Sequence, residues 1–337
     1  MERRVDPRQS ARIDRIVARK TEPVPGLAIA VIKDRKVVHL AGYGSADLET
    51  ATPITPQTQF HMASCGKQFT ALGIMMLKEK SRLAFDDHIG KHIPELSGYP
   101  EGMTIRRLLH HLSGIPDLYE TRLERKLLTL SRHPTNRDVI RLLASLGCPM
   151  ARTGGRFSYS NTGYDLLGSV IERVSGQSYR EFFRARVFAP LGMDDTFSLP
   201  AAARLARRQC AIGYQKKRRG FVAETEHRLD GICGSGSIYS TAADLCRYEA
   251  ALAAGRLVSE ATMRTALRSG VRDDGSPTGY GFGWAVTADF IEHSGEWIGF
   301  VSHMRRYRRR RLSIYVLSNT TSVNPERTVN SAARAFW

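Results

Sequence analysis

The chain lacks the usual marks of a disulfide scaffold, a zinc module or a membrane protein. Its 337 residues include five cysteines, Cys65, Cys148, Cys210, Cys233 and Cys246, an odd count with no CxxC pair. That spacing indicates neither a disulfide framework nor a zinc site. The first apolar run, Gly26–Ile32, is far too short to span a bilayer. The opening Met1-Glu2-Arg3-Arg4-Val5-Asp6-Pro7 holds no apolar core of signal-peptide length. A reducing, cytoplasmic setting is therefore expected, with the periplasm as the alternative if a leader is removed ahead of this start. Internal repeats and low-complexity linkers are missing too.

Acidic residues are also scarce. Lys and Arg total 50 against 33 Asp and Glu, giving a net charge of +17, and 40 of the 50 are arginines. A basic surface can attract nucleic acid or anionic lipid. The densest run, Arg305 to Arg311, lies between two strand-like segments and has no aromatic-interleaved binding module around it. It reads as a hairpin turn with basic shoulders, so no specific nucleic-acid partner is expected. Composition is otherwise that of an ordinary globular protein, 42% apolar and 25% charged. The length suffices for one large domain or two closely packed ones.

Hydrophobic periodicity divides the chain in three. Residues 8–20 carry Ile13, Ile16 and Val17 at helical spacing. Gly26–Lys33 and Lys36–Gly44 are β-rich runs joined by Asp34-Arg35, a hairpin signature. Ser64–Lys80 is a helix with almost no polar face, which predicts burial. Between about 80 and 230 the pattern is helical and loop-rich, with helices expected over Thr104–His111, Thr135–Leu146, Thr162–Val174 and Ser178–Phe188. Strand patterns return at Tyr280–Thr287, Phe290–His293, Phe300–Arg306 and Leu312–Ser318, before a last helix from Pro325. Strands at both ends predict one sheet assembled from the two termini. The expected division is a discontinuous body, 1–80 with 231–337, and a mainly helical lobe, 81–230, with a cleft between them.

Three short motifs carry the chemistry. Ser64 and Lys67 in Ser-Cys-Gly-Lys lie three apart, on one face of a helix, so an amine can reach a hydroxyl. That is how a weak alcohol nucleophile acquires an adjacent base. Tyr159-Ser160-Asn161 and His293-Ser294-Gly295 follow in order. Cys65 reads as a small core residue and the His110-His111 pair as a helix end, so no metal or cofactor is implied.

With those motifs the chain resembles the serine β-lactamase and penicillin-binding-protein superfamily over nearly its whole length. The nearest branch is that of class C β-lactamases, D-amino-acid peptidases and related esterases. Supporting segments are Leu108-Leu109-His110-His111-Leu112-Ser113-Gly114-Ile115-Pro116, Pro190-Leu191-Gly192-Met193 and Gly234-Ser235-Gly236 ahead of Ser240-Thr241-Ala242-Ala243-Asp244. Some relatives carry Ser-Asp-Asn and Lys-Thr-Gly; the Tyr159 motif places this chain on the Tyr-Xaa-Asn branch. The resemblance implies an α+β fold of β-lactamase/transpeptidase type, an antiparallel sheet flanked by helices with an inserted all-α lobe.

The expected roles follow acyl-transfer chemistry. Ser64 attacks a carbonyl, Lys67 or Tyr159 takes its proton, and Tyr159 relays a proton to the leaving group. Asn161 bonds the acyl side chain or holds Lys67. Gly295 lets an edge strand approach substrate closely. By resemblance, the backbone N–H groups of Ser64 and Glu296 stabilise the oxyanion. His293 stands where many relatives have lysine, which weakens recognition of a substrate carboxylate there; Arg305 or Arg306 is the candidate substitute.

The expected activity is hydrolysis of an ester, an amide or a short peptide through an acyl-enzyme. A β-lactamase or slowly acylated penicillin-binding protein is the alternative. A non-catalytic binding or sensor protein on the same fold is the reading from another class. Substrate preference would depend on lobe loops near 115–135 and 205–230, and nothing in the sequence specifies an oligomeric state.

Overall fold

The computed structural model describes residues 7–18, 24–119, 121–147, 153–198 and 209–337. Cys148, residues 19–20 of the first expected helix, residue 120 and residues 205–208 of the second lobe loop lie outside them.

Helix α1 (Pro7–Ala18) leads into strands β1 (Leu27–Lys33) and β2 (Lys36–Tyr43). Asp34 and Arg35 join the strands with φ of 51° and 65°. Both lie in the left-handed region that a tight hairpin turn demands. A small hairpin, β3 (Ser45–Asp47) with β4 (Thr52–Pro53), precedes β5 (Phe60–His61). A 3-10 turn, Ala63–Gly66, then opens helix α2 (Lys67–Glu79).

The middle of the chain supplies α3 (Ile105–Leu109), α4 (Thr121–Leu130), α5 (Asn136–Leu146), α6 (Asn161–Ser175) and α7 (Tyr179–Phe183). The helix expected through Phe188 widens into a π turn over Arg184–Phe188. This region is not purely helical. It also holds β6 (Phe197–Ser198) and a hairpin of β7 (Gly213–Lys217) and β8 (Gly220–Glu224). The hairpin's short, half-exposed strands leave little alternation to detect.

After β9 (Ile238–Ser240) come α8 (Ala242–Ala253) and α9 (Glu260–Ala266). Then follow β10 (Ala285–Val286), β11 (Phe290–Trp297), β12 (Phe300–Tyr307), β13 (Leu312–Ser318) and α10 (Pro325–Ala333). The strand expected over Tyr280–Thr287 shrinks to Ala285–Val286, because the Tyr280-Gly-Phe-Gly segment turns, with Gly283 at φ +76°.

The two chain ends build one antiparallel sheet in the order β10-β11-β12-β13-β1-β2. Its seam pairs Leu27 with Ser318 and runs to Lys33 opposite Leu312. Both faces of β1 are covered, so it reads as a continuous apolar run rather than an alternating one. On one face Leu27, Ile29 and Val31 pack with Ile13 and Val17 of α1 and Val329 and Ala332 of α10. On the other, Ala28, Ala30 and Ile32 join the main core with Phe69 and Leu72 of α2. Helix α2 is thereby wedged between sheet and helical region, where its apolar composition puts it. Among the described residues no helix is long and apolar enough to cross a membrane.

One buried amide ties these parts together. Fully buried Asn319, just past β13, accepts from the Gly26 N–H at 2.8 Å. It donates to the carbonyls of Ser45, Ala46 and Ile212 at 3.1, 3.1 and 2.9 Å. Removing it strands buried backbone groups that cost about 1–3 kcal/mol each. Asn319→Ala is expected to lower the unfolding free energy in urea by about 2–4 kcal/mol; a loss near zero would show that water replaces the amide.

Candidate active site

Strand β5 delivers the chain to the cleft and then stops abruptly. Ala63 sits at φ 47°, a conformation that costs an alanine roughly 1–2 kcal/mol. His61 Nδ1 accepts the Ala63 N–H at 3.0 Å and braces the turn. Ser64 emerges partly exposed at the cleft, while Lys67, one helical turn on, has no exposed surface.

Lys67 Nζ donates three hydrogen bonds to three separate parts of the chain. They run to Ser64 Oγ at 3.0 Å, Asn161 Oδ1 at 2.7 Å and the Ser235 carbonyl at 2.9 Å. Burial pushes its pKa well below the usual lysine range, opposed by the carboxylates of Asp165 and Asp117. Helix α6 begins at Asn161, but the helix cap is Ser160, whose Oγ accepts the Gly163 N–H at 3.2 Å. The Asn161 side chain is thus spared for Lys67. Asp117 fixes it, accepting from Asn161 Nδ2 at 3.0 Å and from its backbone N–H at 3.3 Å.

Tyr159 stands beside this group and is 37% exposed. Lys67 Nζ lies 4.9 Å from its ring centroid. Burial of the phenol raises its pKa, opposed by a hydrogen bond with Ser64. The His111 ring packs on Tyr159 at 4.3 Å, tilted 36°, and its Nδ1 accepts the Ser160 N–H at 3.1 Å. His111 therefore props both the ring and the backbone of the second motif.

The third motif lies on β11. A side chain at Gly295 would put its Cβ 2.8 Å from the Ser64 backbone nitrogen, so only glycine lets this strand close on the serine. Trp297 pairs with Phe300 across the two-residue turn Ile298-Gly299. In such a hairpin the flanking pair exchanges both ladder hydrogen bonds and the next pair none. The Glu296 N–H consequently points away from β12. On that side β10 reaches only Ile291 and Glu292, so the edge beside Glu296 is open among the described residues.

His293 is buried, its ring 6.2 Å from that of Tyr159, and both ring nitrogens are engaged within the protein. Nδ1 contacts the Ser294 carbonyl at 2.6 Å and Nε2 the Tyr280 hydroxyl at 2.8 Å. A carbonyl only accepts, so the proton sits on Nδ1 and Tyr280 donates to Nε2. Burial, reinforced by Lys67, lowers the ring's pKa to about 3. The arginines offered as substitutes are committed elsewhere. Arg305 Nε bonds Glu292 at 2.6 Å, and Arg306 Nε lies 2.9 Å from Glu249. Cys65 is fully buried against the His293 carbonyl, its thiol pushed up to about 12 by burial, so it is no second nucleophile.

The enclosed part of the cleft measures about 200 Å³, below the range of drug-sized ligand pockets. Ser64, Asn161, Ser235, Ser237 and Glu296 meet an apolar wall of Tyr119, Leu229, Ile232, Tyr239 and Trp297. Lys67 is the cation at the cleft floor, and among the described residues no arginine lines the cleft. Sequence reasoning missed Asp117, His111 as a prop and the Ser235 carbonyl. Asp117 follows Gly-Ile-Pro and signals only a turn, and a backbone acceptor leaves no signal at all.

The chain is similar to known proteins over most of its length. Penicillin-binding protein 4* of Bacillus subtilis (strain 168) is 31% identical over 304 residues, which is 84% of this chain and 65% of that protein. The chain thus spans just under two thirds of that relative. Among solved structures, the octameric penicillin-binding protein homologue from Pyrococcus abyssi superposes with a TM-score of 0.81 at 28% identity, over 98% of this chain and 76% of that one. The D-amino acid amidase from Ochrobactrum anthropi SV3, complexed with L-phenylalanine amide, gives 0.78 at 25% identity over 97% of both chains. Residues 13–336 match the Beta-lactamase family, and the chain belongs to it.

Proposed function

We propose that this protein is a serine hydrolase that forms an acyl-enzyme at Ser64, acting on an ester or amide with no carboxylate beside the scissile bond. The observation that carries the reading is the buried Lys67 amine 3.0 Å from the Ser64 hydroxyl at the floor of a cleft. Lys67 is the base in acylation, because burial favours its neutral amine while burial of Tyr159 favours the protonated phenol. Tyr159 then passes a proton to the leaving group and afterwards helps a water attack the acyl-enzyme. The N–H groups of Ser64 and Glu296 stabilise the oxyanion, each worth roughly 2.7–4 kcal/mol. Asn161, anchored by Asp117, keeps the amine aimed at Ser64.

The uncharged His293 favours ester or amide substrates over β-lactams and peptide carboxylates. The amidase among the structural neighbours supports the amide arm, where an amino-acid amide or D-amino-acid peptide would fit.

Hydrolysis of p-nitrophenyl acetate and butyrate, read beside Ser64→Ala, tests the assignment. The mutant should lose at least about 10³-fold in kcat/KM, and mass spectrometry should find the acyl group on Ser64 in the wild type. Retained turnover in the mutant would falsify it. Inactivity of both proteins toward esters and amino-acid amides would instead favour a binding protein on this fold.

Gly295→Ala is expected to lower kcat by about 10²–10³, the cost of one oxyanion donor, with the fold intact by circular dichroism. Wild-type rates would mean that the Ser64 N–H is not used.

A further inference from the structure

Helix α6 carries a second polar group on the face that bears Asn161. Asp165 lies four residues on and is 1% exposed. Its Oδ1 accepts the Ser235 N–H at 3.1 Å, and the hydroxyls of Ser235 and Tyr119 lie within its hydrogen-bonding reach. Buried carboxylates are costly unless a nearby charge compensates them. The cation within electrostatic reach is Lys67, whose third hydrogen bond goes to the carbonyl of that same Ser235.

The surrounding contacts make this segment rigid. Asn136 Oδ1 accepts the Cys233 N–H at 2.8 Å, and its Nδ2 donates to the carbonyls of Cys233 and Asp165 at 2.8 and 2.7 Å. The 233–235 segment is therefore clamped to α5 and α6 at one end and presents an acceptor to Lys67 at the other. Nothing in the acyl-transfer scheme above uses Asp165.

We infer that Asp165 is a positioning residue for the acyl-transfer step, fixing Ser235 as an acceptor for Lys67 and placing a carboxylate directly behind that acceptor. The inference rests on the reading of Lys67 as the base. Besides Lys67, the titratable groups facing Asp165 are Asp117, Tyr119, Tyr159, Tyr179 and Cys233. Those facing Lys67 include Asp117, Cys65, His111 and His293. Burial holds both histidines neutral at neutral pH and the thiols protonated. Burial also raises the Asp165 carboxyl well above the ordinary carboxylate range, opposed by its hydrogen bonds to Ser235 and by Lys67, so Asp165 carries its charge where the Lys67 ammonium stabilises it.

The sign is fixed. A carboxylate near Lys67 stabilises the ammonium and moves the acid limb of kcat/KM to higher pH; removing the charge moves it to lower pH. The test is the pH profile of p-nitrophenyl butyrate hydrolysis in wild type, Asp165→Asn, Asp165→Ser and Ser64→Ala. Asp165→Asn keeps an oxygen for the Ser235 N–H and loses only charge. Its acid limb should fall by about one pH unit with the alkaline plateau within about threefold of wild type. Asp165→Ser should show the same displacement with a lower plateau, because its shorter side chain holds Ser235 less well. An unmoved acid limb in both variants overturns the inference, as does a lowered plateau without displacement. Loss of the folded state in both would make Asp165 a stability residue and overturn it equally. Activity surviving in Ser64→Ala would instead overturn the acyl-enzyme reading beneath it, so the two failures are distinguishable.

Discussion

The structure around the cleft is organised by one buried amine. An ammonium removed from water is tolerated only where polar partners replace its hydration shell. Lys67 draws them from the β5–α2 turn, from the first residue of α6 and from the segment before β9. These pieces are 94 and 168 residues apart from the lysine along the chain for the second and third contacts. Satisfying Lys67 thus brings these three segments together and leaves Ser64 beside them with its hydroxyl already bonded to the amine.

The arrangement is a balance rather than a maximum of stabilisation. Burial drives Lys67 toward the neutral amine, and Asp165 and Asp117 pull it back. Too much negative charge would leave a permanent ammonium, useless as a base. Too little would leave an amine with weak hold on Asn161 and Ser235. The protein places one carboxylate directly on Asn161 and another behind Ser235, so each acts on the lysine through one of its hydrogen-bond acceptors as well as through space. Geometry and ionisation are controlled by the same side chains.

Much of this was legible in the sequence, and the boundary has a physical origin. The buried helix after Ser64 and the strands at both ends follow from periodicity, which is local. So does the serine–lysine pair, because helical spacing fixes their proximity. Asp117, Asp165 and Asn319 carry no such signal: each is an isolated polar residue whose partner lies far along the chain. His293 was named for substrate contact from its position on the motif strand; its ring is held by Tyr280, which belongs to a segment expected to be strand and found to turn. Arg305 and Arg306 were offered to the cleft for the same reason, and Glu292 and Glu249 claim them instead.

That last pairing bears on the charge of the whole chain. With a net charge of +17, chance placement would be expected to put arginine in a cleft of this size, yet among the described residues none lines it. Its carboxylate-bearing residues are Asp230 and Glu296, and Asp230 is spent on the Trp297 indole at 2.7 Å. A guanidinium close to Lys67 would lower its proton affinity further and compete for Asn161 and Ser235. It would also hold any substrate carboxylate against the open edge of β11. Arg305 and Arg306 are instead drawn into ion pairs with Glu292 and Glu249, which leaves Asp165 and Asp117 as the carboxylates that act on Lys67.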